Sequence, residues 1–195
     1  MRPIILLDLD AVLFDFHGAL HDHVARIAQE MSFENTLPQE FDTWALFNGH
    51  KETDEAISRS LNSAGFFGDM PVMPGAVEAV AFLREYAEVF FCSTPFHTNP
   101  TCAEEKSYAV NKHFGKGSGQ RLILTSDKTV ISGEVLVDDR PDVKGVLSHY
   151  HDWTQVFFTH KYNSHIEGVP RIREWNDEST RFILDVAKNG WDSGY

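Results

Sequence analysis

The sequence predicts an α/β protein: a parallel sheet flanked by helices, with a small helical cap inserted after the first strand. Three observations carry this expectation. Short apolar runs alternate with helical patterns along most of the chain, two of those runs end in paired aspartates, and three successive helical patterns separate the first strand from the second.

Ile4-Ile5-Leu6-Leu7, short and bounded by polar residues, reads as a buried strand that follows Pro3. The chain stays apolar over 12–16, and then Leu20, Val24, Ile27 and Met31 recur three or four apart as one helix face. Further helices are expected over 38–47 and 52–61, the latter closed by Ser63-Ala64-Gly65 with Gly65 as the stop. These helices delimit a cap at 16–72, leaving 1–15 and 73–195 as the core. Pro74-Gly75 introduces a helix marked by Ala76, Val77, Val80 and Leu83, leading into the strand Val89-Phe90-Phe91-Cys92. A helix over 103–114, a flexible turn over 115–119 and a strand over 121–124 follow. Val135-Leu136-Val137 forms a strand ending at Asp138, and Val156-Phe157-Phe158 forms the last strand. Near the tail, Asn176 or Asp177 caps a helix carrying Phe182, Ile183 and Val186, and Gly190 stops it.

A length of 195 residues with 42% hydrophobic content suits one domain, or one domain with a modest insertion. Twenty-nine acids against 17 bases give a net charge of −12, which repels a polyanion and argues against a nucleic-acid polymer as partner. Any phosphate must then be recognised locally. Cys92 and Cys102 imply no disulfide framework and read as packing residues, Cys92 within an apolar run with no base beside it. No stretch approaches the length of a membrane span and no charged leader precedes the first strand, so the expected address is cytoplasmic.

Acids clustered at the carboxyl ends of strands must be neutralised by a cation or protonated. Asp8, Asp10, Asp138 and Asp139 together suit Mg2+, a small hard ion that takes oxygen ligands and commonly completes its shell with substrate phosphate. A phosphate ester is the substrate class this implies. A carboxylate attacking phosphorus divides the slow hydrolysis through an aspartyl-phosphate, and Asp8 is placed to be that nucleophile. Two residues along a strand the side chain returns to the same face, so Asp10 can protonate the leaving alkoxide and then activate water. Ser93, Thr94 and Lys128 offer donors to the phosphoryl oxygens where the strands end. Taken singly, each acid pair also reads as a strand-end turn, with Arg140 as a local ion-pair partner of Asp138-Asp139; the combination is what points to chemistry.

The order Asp8-x-Asp10, Ser93-Thr94, Lys128, Asp138-Asp139 resembles the four motifs of the haloacid dehalogenase-like (HAD) phosphohydrolases. Longer stretches, at 8–16, 65–67, 74–80, 92–95, Glu105-Lys106, 127–129, 136–142 and 153–163, resemble the 5′(3′)-deoxyribonucleotidases over most of 4–165, with the tail around Trp175 loosely compatible. The resemblance implies a Rossmann-like core, a helical cap, Mg2+, and release of phosphate from a deoxynucleoside monophosphate. Carried over by position, Asp8 is nucleophile and metal ligand and Asp10 is acid/base and a ligand through its backbone. Asp139 binds the metal directly with Asp138 in support, and Ser93 and Lys128 bind phosphate. Lys106 reads equally as completing the phosphate pocket or as lying on a solvated helix face. Phe16, Trp44 and Phe67 match an aromatic pocket under the cap that could stack a base, although aromatics on a small cap also serve as its own core.

The chain departs from the family at several points. Ala11 replaces the usual Gly after the second Asp, Ser93-Thr94 reverses the usual order, and Ala109 stands in place of Trp. Leu61 replaces a cap aromatic. Ten histidines, among them His17 with His21, show no zinc spacing and are expected on the surface. The expected partner is a small-molecule nucleoside monophosphate, with no membrane; a homodimer is compatible. The competing readings are a HAD phosphatase for another small ester and a nucleotide-binding regulatory protein with little turnover, the latter suggested by Ala11. A receiver domain fits poorly, since Lys128 precedes the second acid pair and the helical insertion has no place in that plan.

Overall fold

In the computed structural model, which describes residues 2–37, 47 and 49–191, a single parallel sheet organises the chain. The elements are β1 (Ile4–Leu7), α1 (Phe16–Met31), α2 (Lys51–Leu61), α3 (Ala76–Tyr86), β2 (Glu88–Ser93), α4 (Cys102–Phe114), β3 (Leu122–Leu124), β4 (Val135–Asp138), β5 (Thr154–Phe158), β6 (Arg171–Ile172) and α5 (Asp177–Asn189). The strand order is β3-β2-β1-β4-β5-β6, every neighbouring pair parallel. Central parallel strands are covered on both faces, which is why β1 and β4 are continuous apolar runs rather than alternating ones.

This topology places the site. The chain winds outward through β1, β2 and β3, then returns to β4 and winds the other way, so the order reverses between β1 and β4. Ligands of open parallel sheets bind beyond the strands' carboxyl ends at such a reversal. Leu7 pairs with Phe91 on one side and Val137 on the other, and one residue later the Asp8 amide still donates to the Val137 carbonyl at 2.9 Å. Asp8, Ser93 and Asp138 therefore end three adjacent strands, about 4.8 Å apart strand to strand.

The helices end where local chemistry dictates. Asp15 caps α1 by accepting from the Gly18 amide at 2.9 Å, and Asn176 with Ser179 forms a reciprocal cap on α5. Gly75 starts α3 at φ 78°, and a Cβ there would sit 2.2 Å from the Trp175 carbonyl oxygen, so only glycine fits. Helices α1 and α2 pack on each other between β1 and β2 in the chain, and α3 packs on α5 and α4.

Four expectations need correcting. Val156-Phe157-Phe158 is not in the last strand: β6 follows it, two residues long and too short to show any period. The 121–124 strand starts one residue later, after a single 3₁₀ turn at Ser118–Arg121. The 115–119 turn is tied down, because Asn111 Oδ1 accepts from the Gly117 and Gly119 amides at 3.0 Å each. Finally, α2 ends at Leu61 with Asn62 as its cap, and Gly65, at φ 90°, shapes a later turn instead. The helix expected over 38–47 and Trp44 lie outside the described residues, apart from Phe47. Among the described residues no helix is long and apolar enough to cross a membrane.

Candidate active site

The turn after β1 sets the first two acids. The Leu9 carbonyl accepts from the Leu13 and Phe14 amides at 2.9 Å each, and the Ala11 amide donates to the Phe14 carbonyl at 2.9 Å. This tight winding puts Ala11 at φ 58°, a left-handed conformation that costs a residue with a Cβ about 1–2 kcal/mol. Two distant side chains take the remaining carbonyls: His160 Nε2 at 2.7 Å from Ala11 O and Trp175 Nε1 donating at 2.8 Å to Val12 O. A carbonyl only accepts, so His160 carries its proton on Nε2.

Around that turn the sheet gathers the charges. Carboxylate oxygens of Asp8, Asp138 and Asp139, all buried, lie within 4.8 Å of one another. Lys128 Nζ reaches Asp8 Oδ1 at 2.7 Å and Asp138 Oδ2 at 2.6 Å. The lysine rides on a one-turn 3₁₀ helix, Lys128–Val130, capped by Asp127, which accepts from the Thr129 and Val146 amides at 2.9 and 2.8 Å. A Cβ on Gly145 would lie 1.8 Å from Asp127 Oδ1, so that close approach requires glycine. The Arg140 amide donates to Asp138 Oδ1 at 2.9 Å, and its guanidinium approaches the same oxygen at 3.4 Å. Asp139 accepts from the Tyr162 hydroxyl, while Asn163 donates to the Asp139 carbonyl at 2.7 Å.

Electrostatics separates these acids. Burial pushes the Asp8 carboxyl up, against the pull of Lys128, and Asp138 and Asp10 push it further. Burial, then the charges of Asp138 and Asp8, hold Asp139 well above the usual carboxylate range despite the Tyr162 hydrogen bond. For Asp138 the burial effect is outweighed by Lys128 and Arg140, and its carboxyl falls below the ordinary value. Lys128 is buried as well, yet Asp138 and Asp8 hold it charged. The residual tension is what hard oxygen donors show when they fit a small divalent cation: three buried carboxylates meet where Lys128 pairs with only Asp8 and Asp138, and the negative charge left over suits a cation.

The phosphate side is built from β2 and α4. Lys106 is buried, not solvated, and its ammonium donates to Asp10 Oδ2 at 2.6 Å, Ser93 Oγ at 2.9 Å and the Thr94 carbonyl at 2.9 Å. Asp10 Oδ1 and the Thr94 hydroxyl are buried without a hydrogen-bond partner, as is one guanidinium nitrogen of Arg140. All three residues line one cavity of about 370 Å³, together with Asp8, Ser93 and Asp139. Its other wall is apolar: Phe16, Leu61, Phe67 and Phe96, with Phe47 at the rim. Phe16 and Phe67 also pack edge-on against Phe66, at centroid distances of 5.9 and 5.0 Å, so they serve core and cavity at once.

Of the residues expected from sequence, Asp8, Asp10, Ser93, Thr94, Lys106, Lys128, Asp138 and Asp139 come together here, with Phe16 and Phe67 opposite. Arg140, Phe96 and Tyr162 were not singled out as site residues. Arg140 offered a signal, since it follows the acid pair directly; Tyr162 falls within the family-like stretch 153–163, but nothing beside it marks it as a partner of Asp139. His17 is not on the surface as expected: it is buried, its ring 4.9 Å from that of His160 and 5.7 Å from that of Tyr162. Among the described residues the only group with metal-ligand proximity is the aspartate triplet. Ala109 is buried, in keeping with a packing role, and Cys92 is buried with its thiol pushed up to about 11 by burial.

A family model described as "5' nucleotidase, deoxy (Pyrimidine), cytosolic type C protein" matches residues 2–189. The chain belongs to the 5′(3′)-deoxyribonucleotidase family. The mitochondrial 5′(3′)-deoxyribonucleotidase of Mus musculus is 34% identical over 193 residues, covering 94% of this chain and 86% of its own. The cytosolic-type 5′(3′)-deoxyribonucleotidase of Homo sapiens is 31% identical over 191 residues, covering 94% of each chain. Among solved structures, the HAD-type protein YfnB of Bacillus subtilis, determined bound to magnesium, superposes with a TM-score of 0.62 at 10% identity over 94% of this chain and 99% of its own. That likeness shows the HAD-like fold, on which this deoxyribonucleotidase-family chain carries its acid cluster.

Proposed function

We propose that this protein is a Mg2+-dependent phosphohydrolase that removes phosphate from deoxynucleoside monophosphates through an aspartyl-phosphate on Asp8. The observation that carries this reading is the meeting of the Asp8, Asp138 and Asp139 carboxylates at the sheet's reversal, with the unpaired oxygen of Asp10 in the same cavity. Family membership supports the substrate class, and the apolar wall of Phe16, Leu61 and Phe67 supports an organic group with flat apolar faces. In this reading 1–15 and 73–195 form the catalytic core, and 16–72 form the cap over it.

Asp8 attacks phosphorus as the bond from phosphorus to the nucleoside oxygen breaks. Asp10 gives its proton to that leaving oxygen, and the same carboxylate then takes a proton from the water that attacks phosphorus and frees Asp8 and inorganic phosphate. Lys106 holds Asp10 in place and, with the Ser93 and Thr94 hydroxyls and Lys128, donates to the phosphoryl oxygens. Asp8, Asp139 and the Asp10 backbone would hold the metal, with Asp138 supporting through Lys128 and Arg140. When bound, the ion neutralises charge on the phosphoryl oxygens.

Phosphate release measured across matched deoxy and ribo monophosphates, with Mg2+ or with chelator, tests the reading. Release from deoxyuridine monophosphate only with Mg2+, and a loss of at least about a thousandfold in Asp8→Asn, is expected. Activity surviving in Asp8→Asn would sink the mechanism, whereas turnover confined to sugar phosphates would sink the substrate assignment.

A further inference from the structure

Helix α4 places two consecutive side chains on opposite tasks. Lys106 points at the strand ends, where it meets Asp10 and Ser93. Glu105, about 100° around the helix, points at the segment that follows α2. Its Oε1 accepts from the Gly65 amide at 2.6 Å and the Thr101 hydroxyl at 2.5 Å, and its Oε2 accepts from the Phe67 amide at 3.0 Å. Among the described residues no ion pair involves this carboxylate; its charge is met by donors alone, in the first turn of α4 where the helix dipole favours an anion.

The grip has a second point. The buried Asn99 donates from Nδ2 to the Leu61 carbonyl at 2.9 Å and to the Ser63 carbonyl at 3.3 Å. Its Oδ1 accepts from the Thr101 amide at 2.9 Å, while the hydroxyl of that threonine, 2.8 Å from the same oxygen, gives its one proton to Glu105. Backbone carbonyls and amides of 61–67 are thus held from the stretch 99–105. This is the segment that supplies Leu61 and Phe67 to the apolar wall of the cavity. Lys106 Nζ in turn lies 5.1 Å from the centre of the Phe67 ring.

We propose that Glu105 is a positioning residue for substrate selection, its carboxylate setting the distance between the phosphate-side ammonium of Lys106 and the apolar wall of Phe67. The inference rests on the nucleotidase reading above, because only a substrate with a phosphate at one end and a flat apolar group at the other measures that distance. One helix acts as the ruler. A shift of α4 moves both ends of the cavity together, and loss of the Glu105 grip lets the wall move while the phosphate end stays.

Glu105→Gln keeps the shape but turns one acceptor into a donor facing an amide N–H. The KM for deoxyuridine monophosphate is expected to rise about tenfold with kcat within about twofold, whereas both constants for glycerol phosphate, which carries no base, stay unchanged. In a Phe67→Ala background the same substitution is expected to change KM by less than about twofold, since the two act through one contact. Amide hydrogen exchange is expected to lose protection at Gly65 and Phe67 in Glu105→Gln, with the sheet amides unaltered. Thr101→Val, which removes one bond and no charge, should show the same pattern more weakly if Glu105→Gln folds poorly. Equal effects on both esters, or additive effects with Phe67→Ala, would overturn the proposal. If the wild type cleaves glycerol phosphate and no nucleotide, the nucleotidase reading fails by itself. Exchange then still decides the anchor: retained protection at Gly65 and Phe67 overturns it, and lost protection upholds it.

Discussion

His160 Nε2 lies 2.7 Å from the carbonyl oxygen of Ala11, across 149 positions of sequence. The contact braces the turn between Asp10 and α1 at the point where a left-handed residue bears a methyl group it would do better without. Ala11→Gly is therefore expected to raise the free energy of unfolding by about 1 kcal/mol, read from urea denaturation, and to leave phosphate release intact or faster. His160→Ala should lower stability by about 1–3 kcal/mol, because a carbonyl loses its donor. A destabilised Ala11→Gly would show that the turn is not strained.

Lys128 neutralises Asp8 and Asp138 at once, so removing it leaves two buried carboxylates facing each other. Lys128→Met is expected to cost about 3–5 kcal/mol in unfolding free energy. Binding of a divalent ion should stabilise the wild type, by about 2.7 kcal/mol when Mg2+ stands at a hundred times its dissociation constant. Thermal melts with and without Mg2+ measure this directly. The Mg2+ increment should vanish in Asp139→Asn, and an unchanged increment there would remove Asp139 from the metal set.

Burial pushes the Glu105 carboxyl up, but the hydrogen bonds from Thr101 and from the amides of Gly65, Phe67 and Gly68 outweigh it and hold the acid below its usual range. A depressed acid stabilises the fold above its unfolded value, about 4.3, and loses that contribution as pH falls through the lower folded value. The stability gap between wild type and Glu105→Gln should then be constant from pH 7 to about 5 and close below about 4. Urea titrations at four pH values settle it; a gap that widened in acid would contradict the assigned hydrogen bonds.

Burial beneath the sheet raises the Cys92 thiol to about 11, Lys128 offsetting only part of the effect. At pH 8 about one molecule in a thousand carries the thiolate, and the side chain is inaccessible besides. Iodoacetamide should label Cys92 only in denaturant, as peptide mass spectrometry can show. Rapid labelling of the folded protein would mean that β2 is far less protected than its packing indicates.

Much of the architecture was legible in the order of residues. β1, β2 and β4 announced themselves as continuous apolar runs because strands covered on both faces cannot afford polar alternation, and α1, α3 and α5 did so through period and caps. The acids were legible too, each at the end of such a run. β6 was hidden because two residues have no period. His17 was misread as a surface residue because its partners, His160 and Tyr162, come from a segment more than 140 positions away. Lys106 stayed undecided for a similar reason: a lysine in a helix looks alike whether its face meets water or Asp10, 96 positions earlier.

What the sequence determined by itself was the inventory of the site: two aspartates after the first strand, two after the fourth, a hydroxyl pair after the second and a lysine between. Each is a local property, a reactive side chain at the end of a run whose burial is written in its own hydrophobicity. Only the tertiary structure decided who meets whom. It gave Lys128 to Asp8 and Asp138, Lys106 to Asp10, Tyr162 to Asp139 and Glu105 to the Phe67 amide. The physical reason is that such pairings depend on sheet order and strand register, which bring distant carboxyl ends within a few ångströms, and no single segment records that proximity.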